Sequence, residues 1–121
     1  MITRLNRIRR ENRALQFYDN LRFYPAENDS ILFYGKATLA RENIIFIAVN
    51  LDPAQMQSSF VEIPLENFGL GEGEEYQMHD LLTDTRYTWR GRSNYVALNP
   101  HSEQAAHVFR LRRAVGGGRF A

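Results

Sequence analysis

The chain has 121 residues and no cysteine, enough for one domain with its own core and no disulfide, and it offers neither a thiol nucleophile nor a thiolate zinc site. An apolar fraction of 44% beside a charged fraction of 24% excludes disorder, and the longest apolar run, Ile44 to Val49, is far below the roughly 20 residues of a membrane-crossing helix. The net charge of +1 is split, with +4 over residues 1–13, +4 over residues 110–119 and −7 between them; such a body repels phosphate and argues against nucleic acid. No apolar signal core opens the chain, so the expected compartment is cytoplasmic.

Leu5, Ile8, Asn12 and Leu15 recur at helical spacing and predict one helix over about residues 3–15, with Thr3 as its N-cap. Its apolar stripe is narrow and arginines occupy most other sides. Such a helix is not expected to be stable alone in water and calls for a larger surface to lie against. Short β-rich runs follow: Leu21–Tyr24 stopped by Pro25, Ile31–Thr38, and Asn43–Leu51. The last is apolar on both faces and therefore central. Ser59–Ile63 is closed by Pro64, and Leu65–Gly73, with three glycines, reads as a loop holding one short turn. Glu75–His79, Thr85–Trp89, Tyr95–Leu98 and His107–Leu111 complete the set, each bounded by turn residues. Eight short strands at this spacing predict an all-β fold, an antiparallel Greek-key-like β-sandwich of about eight strands behind one N-terminal α-helix. The expected division is a helix over 1–16, a sandwich over 17–113 and a flexible tail over 114–121.

Residues with chemistry are sparse. His79, His101 and His107 stand in separate runs without metal-ligand spacing, and are expected to be surface or interface histidines. His79 and Asp80 are adjacent on a strand and point to opposite faces, so they are not expected to pair directly. Glu72, Glu74 and Glu75 cluster in a glycine-rich stretch that reads as a solvated loop, because nothing fixes two carboxyl groups across a cleft. Asp52 and Asp80 sit at strand ends, where aspartate bonds the backbone of a turn. No serine lies in G-x-S-x-G, and Gly69, Gly71 and Gly73 form neither dinucleotide fingerprint nor P-loop. No catalytic residue, metal or cofactor is expected. Tyr87 and Trp89 share a strand face, and Tyr95 lies on the next run. The three are candidates for carbohydrate stacking, though large aromatics in a sandwich more often fill the core.

Several segments, in order, resemble the C-terminal region of a bacterial family in the alpha-amylase superfamily, the alpha-1,4-glucan:maltose-1-phosphate maltosyltransferases. They are Leu5-Asn-Arg-Ile-Arg-Arg-Glu-Asn-Arg-Ala-Leu15, Asn20-Leu-Arg-Phe23, Val49-Asn-Leu-Asp-Pro53, His79-Asp-Leu-Leu-Thr83, Tyr87-Thr-Trp89, Asn94-Tyr-Val-Ala-Leu98 and Ala106-His-Val-Phe-Arg-Leu111. The resemblance covers about residues 4–112. It implies a cytoplasmic enzyme that passes maltosyl units to an α-1,4-glucan with retention, using two carboxyl groups on a (β/α)8 barrel. No stretch of this chain matches those catalytic motifs. The resemblance further implies that the opening helix is the last barrel helix and that the remainder is the β-sandwich behind it. The barrel of the same polypeptide would be the partner, met through the Arg7–Arg13 face, with Leu5, Ile8, Arg9 and Asn12 as interface candidates, and through the first strands. The other reading is a free-standing β-module binding α-glucan.

Overall fold

The computed structural model describes residues 2–16, 20–39, 43–101, 105–116 and 119–120. One helix, α1 (Ile2–Glu11), and a 3-10 turn (Arg13–Gln16) precede β1 (Leu21–Phe23), β2 (Ile31–Ala37), β3 (Ile44–Asn50) and β4 (Gln57–Glu62). A second 3-10 turn (Leu65–Phe68) leads to β5 (Glu75–Asp80), β6 (Arg86–Arg90), β7 (Ser93–Leu98), β8 (Ala106–Gly116) and β9 (Arg119–Phe120). The strands form an all-β sandwich. The large sheet runs β1-β2-β3-β8-β5-β6 with β9 paired to β8, the small sheet is β4-β7, and every pairing is antiparallel.

Two expectations at the ends of the chain are corrected. Thr3 lies inside α1 and is not its N-cap, and the α-helix stops at Glu11. It stops because Asn12 turns its side-chain amide back onto the Ile8 carbonyl (2.9 Å), the same oxygen its own backbone N–H reaches (3.0 Å); a short amide of this kind competes with helix propagation. At the other end β8 runs through Gly116, and Arg119–Phe120 turns back onto it, with Ala114 opposite Phe120. The boundary placed at residue 113 therefore falls within a strand. Gly117, Gly118 and Ala121 of the expected tail, and Ser102 of an expected turn, lie outside the described residues.

The core fills the space between the two sheets. Phe33, Phe46, Tyr76, Met78, Trp89 and Phe109 come from the large sheet, and Val61, Val96 and Leu98 from the small one. Leu65, Phe68 and Leu70 close it from the second 3-10 turn, which Gly69 ends in the left-handed region (φ 69°). Gly35 of β2 faces this core. A Cβ there would lie 2.8 Å from the Tyr24 ring and 3.2 Å from the Ile45 carbonyl oxygen, and its absence lets Tyr24 pack on Phe46 at 5.5 Å between centroids.

A second, smaller cluster lies on the opposite side of the large sheet. Ile8 and Ala14 are buried there on Ile45 and Val108, with Leu15, Ile47, Leu81 and Leu82 around them. This explains why β3 is apolar on both faces: Ile44, Phe46 and Ala48 fill the sandwich while Ile45 meets the helix.

Candidate docking face

The side of the large sheet turned away from the sandwich is called the outer face, and strand register fixes which residues make it. On β2, Ile31, Phe33 and Gly35 are buried inward, so Leu32, Tyr34 and Lys36 point out by the two-residue period. Leu21 and Phe23 of β1 oppose Lys36 and Tyr34, and these oppose Ile45 and Ile47 of β3. Phe23 remains 66% exposed although its ring touches Tyr34 at 5.9 Å. Apart from Lys36, this half of the outer face is apolar.

The other half is basic. Ile45 and Ile47 oppose Arg110 and Val108 of β8. Beyond them, His79 of β5 lies opposite Arg110 on one side and Arg86 of β6 on the other, while Gln77 lies between Arg112 and Thr88.

Helix α1 is fastened where the halves meet. Asn43, at the start of β3, donates its side-chain amide to Asn12 Oδ1 (3.0 Å) and accepts at Oδ1 from the Ala14 backbone N–H (2.9 Å). Its own N–H donates to Thr38 Oγ1 (3.1 Å). Of the four interface candidates, Ile8 and Asn12 are thus buried on the chain's own sheet, whereas Leu5 is 43% exposed and Arg9 is exposed. Asn43 was not legible as a site. The available signal was Asn12 itself, a polar side chain on an apolar stripe, which demands a buried partner.

The histidines depart from expectation. His79 and His107 are buried, and only His101 is exposed, donating from its ring to the Ala54 carbonyl (2.9 Å). His79 and Asp80 do not pair with each other. Arg112 Nε and Nη2 donate to His79 Nδ1 at 3.3 and 3.2 Å. On the other side of the ring, Nε2 meets Asp84 Oδ1 (2.5 Å). That hydrogen bond is the main cause that holds the Asp84 carboxyl below its ordinary pKa. Asp84 takes a left-handed conformation (φ 62°) in the turn after β5, which aspartate tolerates. Burial, then the neighbouring charges of Arg110 and Arg86, lower the Arg112 pKa. On the core side, His107 Nδ1 meets Asp80 Oδ2 at 2.7 Å and stacks on Phe109 at 4.7 Å.

The three aromatic candidates are not brought together. Trp89 is 6% exposed and packs on Phe109 and Tyr76 in the core. Tyr87 lies edge-on to Phe109 and His107. Tyr95 is 56% exposed on the other sheet, paired with Phe60 across β4-β7 at 5.6 Å and 66°. The turn between β6 and β7 is not a hairpin, because the chain changes sheets there.

The acids are dispersed. Glu72 and Glu66 pair with Arg92, and Glu75 with Arg90. Asp52 and Asp80 bond turn backbones as expected, through Ala54 and Gln55 N–H and through Leu82 N–H. Among the described residues no three histidine or acidic side chains converge as metal ligands, and no helix is long and apolar enough to cross a membrane.

Comparison with known proteins finds a family model described as "GLGE, C-terminal" matching residues 23–111. The chain is similar to the alpha-1,4-glucan:maltose-1-phosphate maltosyltransferase of Rhodospirillum rubrum, at 44% identity over 111 residues covering 92% of this chain and 16% of that protein. The protein of the same name from Myxococcus xanthus is 41% identical over 112 residues, covering 93% of this chain and 16% of its own length. That from Burkholderia pseudomallei is 39% identical over 123 residues, covering 99% and 11%. The chain therefore spans a sixth or less of the length of these relatives.

Proposed function

This chain belongs to the GLGE C-terminal family, and from that premise we propose that it is the non-catalytic accessory domain of a longer, cytoplasmic enzyme that transfers maltosyl units in α-1,4-glucan (glycogen) synthesis. Its outer face packs on the catalytic (β/α)8 barrel of the same polypeptide and stabilises it, and α1 is the last barrel helix. The observation that carries this reading is the outer face itself, an apolar half exposing Phe23 beside a helix of which one side is sunk into the sheet while Leu5 stays exposed. Burying such a patch against a neighbour contributes about 25 cal/mol for each Å² of apolar surface removed from water. A rigid second body behind a barrel also fixes the scaffold that carries its active-site loops.

The test is complementation. The Rhodospirillum rubrum relative, cut before its matching region, is expressed with and without this chain. The two parts are expected to co-purify, with maltosyl transfer restored only in their joint presence. Failure to associate, with no activity recovered, overturns the proposal.

The alternative, a module that binds α-glucan, draws support from one feature, the exposed Phe60–Tyr95 pair. Its rings stand at 66° and form no common flat platform, so the accessory reading predicts no response of these residues to maltooligosaccharides. NMR titration of the chain checks this. A saturable shift confined to Phe60 and Tyr95 would favour the glucan reading. Trp89 fluorescence is the wrong reporter, because the indole is buried.

A further inference from the structure

We infer that Arg86, Arg110 and Arg112 form the polar half of the docking face and receive carboxylate side chains from the surface of the preceding catalytic part of the polypeptide. This deepens the accessory-domain reading and rests on it.

The argument starts from where the acids are. Arginines at the sandwich edges have partners: Arg90 meets Glu75 at 3.0 Å, and Arg92 meets both Glu66 at 2.7 Å and Glu72 at 3.2 Å. The three arginines of the outer face are treated differently. Arg86 donates to the Gln77 amide oxygen (3.3 Å) and Arg112 to the His79 ring, and among the described residues neither has an acid within ion-pair distance. Among the described residues no ion pair is recorded for Arg110. Asp84, whose charge acts on both Arg86 and Arg112, is hydrogen-bonded to His79 Nε2. From the helix side, Arg4, Arg7 and Glu11 face the same region across a cavity of about 240 Å³ that His79 and Asp84 also line, and Glu11 lies 3.8 Å from Arg7. Among the described residues three strand arginines therefore share one carboxylate, Asp84, and the patch keeps a net positive charge, although the body of the chain between residues 14 and 109 is acidic by seven charges.

Geometry selects the ligand class. Arg86 and Arg110 flank His79 in register, so their strands lie about 10 Å apart, two inter-strand spacings. Guanidinium forks distributed over two strands in this way suit separate carboxylates on a facing protein surface, each able to take a bidentate pair. A single small anion would need donors converging on one point. Ile45 and Ile47, which lie opposite Arg110 and Val108, join this patch to the apolar half beneath α1, which covers Ile45 and Val108. A partner that takes up α1 from both flanks thus meets both halves. Charge pairs of this sort fix orientation and association rate more than raw affinity.

The experiment measures binding of this chain to the truncated Rhodospirillum rubrum relative by calorimetric titration as NaCl is raised. Three variants are compared with the unaltered chain: Arg86→Glu with Arg110→Glu, Arg22→Glu with Arg119→Glu as an equal change of net charge elsewhere, and Phe23→Ser. The first is expected to weaken binding about tenfold or more and to flatten its salt dependence, whereas the second leaves both near the unaltered values. Equal effects of the two charge reversals, or no effect of the first, overturn the inference. If Phe23→Ser abolishes binding while Arg86→Glu with Arg110→Glu does not, the arginine assignment fails and the docking reading stands. If the unaltered chain does not bind, both fail. Inorganic phosphate is titrated as a competitor, and displacement at millimolar phosphate assigns the cluster to a small anion and overturns the carboxylate partner. Melting curves confirm that each variant folds, and Arg86→Gln with Arg110→Gln replaces the reversal if it does not.

Discussion

Asp80→Ala is expected to destabilise the domain by about 3–5 kcal/mol, the usual cost of removing one partner from a buried charged network. Asp80 is fully buried where β5 ends. Its Oδ1 accepts from the Leu82 backbone N–H at 3.0 Å, and its Oδ2 from Thr83 Oγ1 at 3.1 Å and His107 Nδ1 at 2.7 Å. The alanine variant leaves a buried imidazole, a hydroxyl and an amide without this acceptor, and opens a void beside Phe109. Asp80→Asn keeps the volume but replaces one acceptor with a donor, and should cost about 1–3 kcal/mol. Urea unfolding followed by circular dichroism measures both.

The same residue gives a pH signature. Burial works to raise the Asp80 pKa, but the hydrogen bonds from His107, Leu82 and Thr83 outweigh it, and the folded value lies below the ordinary one. A depressed carboxyl stabilises the fold above its unfolded pKa of about 3.9 and loses that contribution as pH falls through the folded value. Stability should therefore fall on the acid side of about pH 4. Asp52 and Glu66 are also depressed and add to that slope, so the part due to Asp80 is the difference between the unaltered chain and Asp80→Asn. Identical acid-side slopes would remove Asp80 from the account.

Phe46→Ala should cost about 3–5 kcal/mol as well, by loss of buried surface and creation of a cavity. Phe46 sits at the centre of β3, stacked on Phe33 at 5.6 Å and edge-on to Phe68 at 5.3 Å, with Tyr24 at 5.5 Å. Its removal loosens β2, the Tyr24 segment and the second 3-10 turn together. Phe23→Ala is the counterpart on the opposite face. That ring is largely exposed, so the substitution should change stability by less than about 0.5 kcal/mol. A urea midpoint for Phe46→Ala close to that of Phe23→Ala would contradict the placement of the core.

Strand positions were readable because proline and turn residues punctuate the chain. Pro25 and Pro64 close runs where expected, and β3 declared its two covered faces through the unbroken sequence Ile44-Ile-Phe-Ile-Ala-Val49. The period-two rule placed Tyr87 and Trp89 on one face correctly. It did not reveal that β6 and β7 join different sheets, so Tyr95 was grouped with side chains it never meets. A short turn between two strands suggests a hairpin, and only pairing partners far along the chain decide otherwise: Tyr95 lies opposite Phe60. The histidines were opaque for the same reason. His107 and Asp80 are 27 residues apart, and His79 and Arg112 are 33 apart, so local spacing carried no trace of either pair. Arg110 and Arg112 showed only as part of the basic stretch at the C-terminal end, and Arg86 stood apart from it, so their assembly on one face required the pairing of β5 with both β8 and β6.

The Asn43 clasp decides what kind of joint lies between α1 and the strands. A helix held by side-chain hydrogen bonds just past its end, at Asn12 and Ala14, with Ile8 and Ala14 sunk in the sheet, cannot pivot freely. It acts as a stiff elbow instead of a tether. Anything continuous with α1 inherits the bearing of β3, and a shove on one is handed to the other as rotation. Weakening that elbow at Asn43 would leave each body folded while letting their mutual angle wander.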